Sequence, residues 1–455
     1  MSRLLVRNAR IPGGGETSLA IEDGKITGAG PGVSGGPGAV ELDAEGLWVV
    51  PGWIDLQVND IGWLSGGYRD PEVHAGRIRE VLNYQASTGV TGCVLATLAA
   101  PLDEIIAYLK GMKEVLSGTG SLDDVLLGGL VEGTFMNPEF HGAHNPDWVL
   151  PPDPGVLEQL LATGAVKMIN VAPETTPEAI NLVAEAVSRG VVVGCGHAKP
   201  HAECLREAIA AGLSYVIHLG NGPTGSSLKV FNDGGLLQES LRNDQLIATL
   251  IVDGYHIHPQ LVRDWVCRKE VSRCIGISDA GFGTGAPTEP FELCGMEGEP
   301  AADGAYLRVV RSPGEIEMAA RTSDAGALFG AAIGMREVFE NLLNLFSVEM
   351  EGVNIRHHPA LPVEESLAAA SQMCSANPAR LLGAGERGCI EEGARADILL
   401  LELEQLGKIT LVQQDLDVHF SEFAPHLELA ALCQLGQVLH EVAVQFQARQ
   451  TMHPV

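Results

Sequence analysis

The sequence predicts an α/β chain: a (β/α)₈ TIM-like barrel carrying a small β-sandwich domain built from both chain ends. Three observations carry this expectation. Eight apolar runs of strand length alternate with segments of helical spacing through the middle of the chain. Those runs are apolar throughout, as strands of a parallel sheet are when both faces are buried. The flanks of this middle, 3–48 and 388–403, share a different texture of short β-like pieces cut by glycine.

Taken in order, 4–10, 18–21 and 25–28 read as short strands, separated by Gly13-Gly14-Gly15 and followed by a glycine-rich stretch to residue 38. No GxxxxGK[ST] pattern accompanies these glycines, so they are read as hairpin turns and not as a phosphate loop. The barrel strands are expected at 49–58, 91–97, 125–132, 165–171, 191–197, 214–219, 246–253 and 274–279. Helical spacing covers 74–88, 102–115, 177–189, 201–211 and 259–269, while the third and sixth connections are loop-rich. Residues 286–312 read as a hairpin excursion, 323–346 and 364–382 as further helices, and 388–403 as short strands around Glu392-Gly393. The stretch 410–455 has no decisive pattern. Residues 1–50 with 385–455 are therefore expected to form the small β domain, and 51–384 the barrel.

Composition bounds the partners. The 455 residues carry a formal charge of −29, which disfavours a nucleic-acid backbone or an anionic membrane as partner. No run approaches the roughly 18 apolar residues of a membrane span. The first residues lack the apolar core and small-residue cleavage site of a secretory signal. The nine cysteines include no CxxC pair and suit free thiols in a reducing compartment, so a cytoplasmic location is expected.

A barrel of this kind places its chemistry at the carboxyl ends of its strands. The polar residues there are Gln57 and Asn59 (strand 1), Glu132 (3), His197 (5), His218 (6), Asp253 and His256 (7) and Asp279 (8). Singly, each has an ordinary alternative: a hydrogen-bonded structural histidine, a helix cap, a loop carboxylate. Together, one carboxylate and two imidazoles on one rim fit a divalent cation such as Zn²⁺. Asp279 on the last strand is then placed to move a proton between water and a leaving group.

Several segments resemble the amidohydrolase superfamily, and within it the N-acetylglucosamine-6-phosphate deacetylases. They are Pro51-Gly52-Trp53-Ile54-Asp55-Leu56-Gln57-Val58-Asn59, Glu132-Gly133-Thr134-Phe135-Met136-Asn137-Pro138, Gly142-Ala143-His144-Asn145-Pro146, Gly196-His197, His218-Leu219-Gly220-Asn221, Val252-Asp253-Gly254-Tyr255-His256, Ser278-Asp279-Ala280 and Ala396-Asp397-Ile398. The resemblance implies a hydrolase that removes acetyl from an N-acetyl amino sugar phosphate, N-acetylglucosamine 6-phosphate first. Other amides remain open: the galactosamine epimer, an unphosphorylated N-acetyl sugar or an N-acyl amino acid.

The resemblance further implies Glu132, His197 and His218 as metal ligands, Asp279 as catalytic acid/base and His256 as polariser of the amide carbonyl. His144, Asn221, Gly222, Lys229 and Gln57 form the implied substrate-binding set. It implies one divalent ion per subunit, Zn²⁺ first with Fe²⁺, Mn²⁺ or Co²⁺ as alternatives, because Gln57 and Asn59 stand where related chains carry an HxH pair for a second metal. A homodimer is implied likewise.

The chain departs from the family pattern after both histidines, with Ala198-Lys199-Pro200-His201 and Gly220-Asn221-Gly222-Pro223. The family's phosphate-binding arginine has Lys229 as its nearest counterpart. A barrel that has lost catalysis and serves as a scaffold is the reading from another class, and retention of Glu132, both histidines and Asp279 opposes it.

Overall fold

The computed structural model describes residues 3–64, 66–221, 234–293, 296–311, 328–405 and 408–411. Eight parallel strands form the central sheet: β1 (Trp53–Val58), β2 (Val90–Ala96), β3 (Leu126–Phe135), β4 (Val166–Val171), β5 (Val192–Cys195), β6 (Tyr215–Val216), β7 (Ile247–Ile251) and β8 (Cys274–Ile277). Their order in the sheet follows the sequence. The ring closes past the strand ends, where Val58 bridges Ala280 in parallel and Asn59 donates its N–H to the Ala280 carbonyl at 2.9 Å.

The uniform apolarity of these strands has the expected cause. Ile54, Leu56, Val94, Ala96, Leu130, Met168, Tyr215, Ile217, Ile251, Ile275 and Ile277 fill the interior of the ring. The residues between them face the surrounding helices and form a second, larger core. Most helices match the sequence reading within three residues, among them Leu102–Leu116 and Pro259–Lys269. Their starts are written in the chain. Asp70 caps Pro71–Ser87 by accepting the Glu72 N–H, and Asp153 caps Pro154–Leu161 in the loop-rich third connection.

Strand β6 is shorter than the expected 214–219. Its ladder stops because the backbone turns left-handed at His218, with φ of 31°. The expected strand 49–58 is in fact two. Trp48–Pro51 pairs antiparallel with Ile398–Gln405 in the sheet built from both chain ends, and only Gly52 separates it from β1. That sheet also holds Arg3–Ile11, Gly15–Glu22, Lys25–Gly30, Val40–Asp43 and Lys408–Leu411, around a core of its own centred on Val6, Leu19, Ile26 and Val49. Of 388–403, only the last residues form a strand; 388–397 crosses as turns.

The excursion after β8 is a three-stranded antiparallel sheet, Phe291–Leu293, Met296–Pro300 and Leu307–Arg311. It packs Leu293, Met296 and Leu307 onto Ile61, Leu98 and Phe329, with Ala143 and Phe282 alongside. It therefore lies over the carboxyl ends of the strands. The helix expected at 323–346 begins only at Met335. Residues 328–334 instead run back against β8, where Ala331 donates its N–H to the Asp279 carbonyl at 2.8 Å. Gly330 makes this approach possible: its φ is +58°, and a Cβ would lie 2.7 Å from the Asp279 carbonyl oxygen. Residues 323–327 and 412–455 lie outside the described residues.

Barrel and end sheet are clasped by ion pairs. The buried Arg387 donates to Asp397 Oδ2 (2.8 Å), the Thr91 carbonyl (2.9 Å) and the Asp124 carbonyl (2.8 Å), and Arg395 shares the Asp397 oxygen at 3.1 Å. Removing one partner of such a buried pair costs about 3–5 kcal/mol where nothing replaces it. Because Arg395 still meets Asp397, Arg387→Ala is expected at the low end, about 3 kcal/mol, read as a reduced denaturation midpoint; an unchanged midpoint would show that the clasp carries no stability.

Candidate active site and metal centre

Three of the expected site residues end their strands in the same unusual way. His197, His218 and Asp279 all have positive φ, at 49°, 31° and 47°. A side chain in this region costs about 1–3 kcal/mol, and such strain persists only where the surroundings enforce it. Here they do. Asn137 donates its N–H to the His197 carbonyl at 2.9 Å, and Thr249 on β7 accepts the His218 N–H at 2.7 Å. The turn at Asp279 is held by the buried Asp55 of β1, which takes the N–H and hydroxyl of Ser278. Left-handed turns at the strand ends swing all three side chains into the mouth of the ring.

Glu132 lies at their centre. Its Oε1 is 3.0 Å from His218 Nε2 and 3.5 Å from His197 Nε2, and its Oε2 accepts from Gln57 Nε2 at 3.0 Å. The same Gln57 nitrogen donates to Asp279 Oδ1 at 2.8 Å, and Asn59 Nδ2 donates to that oxygen at 2.8 Å. Imidazole rings of His197 and His218 stand 4.9 Å apart, edge to face. Glu132 sits on β3 where the loop after β2 packs closely: a Cβ on the adjacent Gly133 would lie 1.9 Å from the Ala99 backbone nitrogen. The sequence-derived set Gln57, Glu132, His197, His218 and Asp279 is thus one contiguous cluster, and all five are buried.

Electrostatics separate the two carboxyl groups. Burial alone would raise Glu132, but the hydrogen bonds of His197 and His218 overturn it and hold the carboxyl well below the usual range. Asp279 goes the other way, to about 8, through burial first and then repulsion by the Glu132 charge. Asp55 is pushed up to about 6 by burial, against the pull of its Ser278 hydrogen bonds.

The cluster suits a divalent cation. His197 Nδ1 lies 2.8 Å from the Phe140 carbonyl, an acceptor, so Nδ1 carries a proton and Nε2 is the nitrogen left facing Glu132 Oε1. A carboxylate oxygen and imidazole nitrogens converging in a buried site are a donor set that a divalent cation can bridge. His218 Nδ1 is also buried without a hydrogen-bond partner.

Ligand atoms of Glu132, His144 and His197 lie within 4.8 Å of one another, which makes His144 a rival for the coordination set. Its hydrogen bonding argues otherwise. His144 Nδ1 accepts the Ala99 N–H at 3.2 Å, so the neutral ring, kept neutral by burial that lowers its pKa to about 3, carries its proton on Nε2. That nitrogen donates; it does not ligate.

The remaining expectations divide. Asn221 donates its N–H to the His218 carbonyl at 2.9 Å and lines a crevice shared with His197. Gly222 and Lys229 lie outside the described residues. His256 pairs with Asp253 instead of joining the Glu132 cluster: its Nδ1 is 2.6 Å from Asp253 Oδ2, and its Nε2 is buried without a hydrogen-bond partner. Sequence reasoning missed the structural parts of Asp55, Ser278 and Thr249. The first two stood inside motifs already quoted, Asp55 two residues before Gln57; nothing in the sequence marks Thr249.

Among the described residues no helix is long and apolar enough to cross a membrane. The chain is 28% identical over 364 residues to an N-acetylgalactosamine-6-phosphate deacetylase of Escherichia coli O157:H7, an alignment covering 77% of this chain and 86% of that protein. It is 24% identical over 407 residues to an N-acetylglucosamine-6-phosphate deacetylase of Lysinibacillus sphaericus, covering 88% and 94%. In fold it is similar to the crystal structure of N-acetyl-D-glucosamine-6-phosphate deacetylase from Mycobacterium smegmatis, with a TM-score of 0.71 at 23% identity over 90% of this chain and 97% of that one. The amidohydrolase family model matches residues 48–426, from the last end-sheet strand before the barrel through all eight barrel strands, and the chain therefore belongs to the amidohydrolase family.

Proposed function

We propose that this protein is a metal-dependent deacetylase that hydrolyses the acetamide of an N-acetyl amino sugar phosphate, N-acetylglucosamine 6-phosphate first. The observation that carries the reading is the pairing of a histidine-flanked carboxylate, Glu132, with a second carboxyl group, Asp279, through one donor atom of Gln57. The first site suits a cation and the second suits proton transfer. A second reading, the galactosamine 6-phosphate epimer, is favoured by the 28% identical Escherichia coli relative.

Glu132, His197 and His218 would hold one divalent ion, Zn²⁺ first with Fe²⁺, Mn²⁺ or Co²⁺ as alternatives. Such an ion supplies Lewis acidity, making water acidic near neutral pH and polarising a carbonyl. Asp279 does the proton work. Gln57 and Asn59 both bond its Oδ1, which leaves Oδ2 to take a proton from water as the water oxygen adds to the acetamide carbon. The C–N bond then breaks, and Asp279 returns the proton to the departing nitrogen, because an amide anion does not leave unprotonated. Acetate and the free amino sugar result. His144 presents Nε2–H and His256 presents Nε2 to the substrate, and Asn221, Gly222 and Lys229 are assigned to its phosphate or hydroxyl groups. The location in the cell is taken as cytoplasmic and the assembly as a homodimer; neither nucleic acid nor membrane is a partner in this reading.

Acetate release from N-acetylglucosamine 6-phosphate, its unphosphorylated form and the galactosamine epimer tests the assignment directly; equal turnover with and without phosphate would overturn the phosphosugar reading. Asp279→Asn should keep its metal content yet lose about 10²–10⁴-fold in kcat, and normal turnover would remove Asp279 from the proton path.

The raised Asp279 pKa gives a further expectation. At pH 7 the cation-free group, at about 8, is mostly protonated. A cation beside it favours the carboxylate, so loading should release about one proton. Calorimetric titration with Zn²⁺ in buffers of different ionisation enthalpy measures this, and Asp279→Asn should abolish it.

A further inference from the structure

We propose that Asp253 is the positioning residue of the reaction, fixing which ring nitrogen His256 offers to the substrate. This inference rests on the deacetylase reading above. Its basis is a division of labour between two oxygens. Asp253 Oδ1 accepts the backbone N–H groups of Tyr255 and His256, each at 2.9 Å, closing a tight turn directly after β7. Oδ2 is left for the His256 ring, whose Nδ1 lies 2.6 Å away. One carboxylate thus builds the loop with one oxygen and aims the imidazole with the other. Both side chains are almost fully withdrawn from water, at 0% exposure for Asp253 and 2% for His256.

The consequence follows from the proton count. An ionised carboxylate accepts and cannot donate, so the proton shared with it sits on His256 Nδ1. Asp253 is ionised: burial would raise its carboxyl, but the His256 ring and the two backbone N–H groups bring it below the ordinary value. His256 Nε2 is then the one ring nitrogen free for a ligand, and it is buried with no hydrogen-bond partner. A buried polar atom without a partner is costly unless a ligand completes it. Strand β7 lies between β6, which leads to His218, and β8, which leads to Asp279. The free Nε2 therefore belongs to a loop flanked on both sides by loops of the proton-transfer cluster. With the proton held on Nδ1 by Asp253, Nε2 presents a lone pair, placed to accept an N–H or O–H of the substrate.

Asp253→Asn separates the two functions, since the amide oxygen can still accept from both backbone N–H groups while its NH₂ cannot accept from Nδ1. With the metal-loaded full-length protein and N-acetylglucosamine 6-phosphate, kcat should fall about 10–100-fold with KM changed less than about threefold. In a His256→Ala background the same substitution should cost nothing more, because residues that act through one another are not additive. Nitrogen-15 NMR of the imidazoles supplies a readout independent of turnover: the His256 proton should sit on Nδ1 in the parent and move to Nε2 in Asp253→Asn. Equal losses in both backgrounds, or an unchanged tautomer, overturn the proposal. If the parent protein releases no acetate from any hexosamine phosphate, the deacetylase reading falls and the positioning role in that reaction falls with it; the NMR arm then still decides whether Asp253 sets the tautomer.

Discussion

Two buried carboxyl groups bound to one amide nitrogen set the terms for the rest of the molecule. Glu132 and Asp279 both accept from Gln57 Nε2, deep in a ring of apolar side chains. Left to themselves, two such groups cannot both ionise, and burial penalises each. The fold answers by distributing donors unequally. Glu132 receives two imidazoles and stays charged; Asp279 receives amide hydrogens and the repulsion of its neighbour, and keeps its proton to higher pH. One group is thereby suited to a cation and the other to carrying a proton, although their chemistry in isolation is almost the same. The strained turns at His197, His218 and Asp279 are the backbone cost of bringing these groups together.

Histidine roles in this mouth follow from what each ring's other nitrogen touches. His197 gives its Nδ1 proton to a carbonyl and faces Nε2 toward Glu132; His144 accepts a backbone N–H on Nδ1 and turns a proton inward. The two rings are 5.0 Å apart and differ in which nitrogen carries the proton because one backbone partner is a C=O and the other an N–H. Distance alone would group them as equivalent ligands. The loop that supplies both the Phe140 carbonyl and His144 starts its turns with Asn137-Pro138 and Asn145-Pro146, where the asparagine side chains cap the following residues. Local turn chemistry thus reaches the Glu132 cluster through a single carbonyl oxygen.

Much of this was legible from sequence because burial on two faces writes an unmistakable pattern: continuous apolar runs, each ending in a polar residue that has no reason to be there except the mouth of the ring. That logic found Gln57, Glu132, His197, His218 and Asp279 before any contact was known. It failed where geometry and not composition decides. The run 49–58 is apolar on both sides of Gly52, so nothing in its hydropathy reveals that Trp48–Pro51 and Trp53–Val58 belong to different sheets. Residues 328–334 adjoin a strongly amphipathic helix and were absorbed into it, because the left-handed Gly330 that turns the chain back to Asp279 looks like any other glycine. Asp253 was visible as a strand-end polar residue, but its two-sided bonding to the His256 loop depends on a turn that sequence spacing does not specify.

The single glycine between Trp48–Pro51 and β1 has a wider meaning. Gln57 and Asn59 reach Asp279 only in the register β1 holds, so a slip of one residue would misplace both amides together. The flanking strand cannot slip, because it is zipped antiparallel to Ile398–Gln405, and Gly52 itself donates to the Asp397 carbonyl at 2.8 Å. The end sheet thereby acts as a register lock for the barrel ring. Changes in that sheet, at a distance from any substrate, would be felt as misaligned amides beside Asp279.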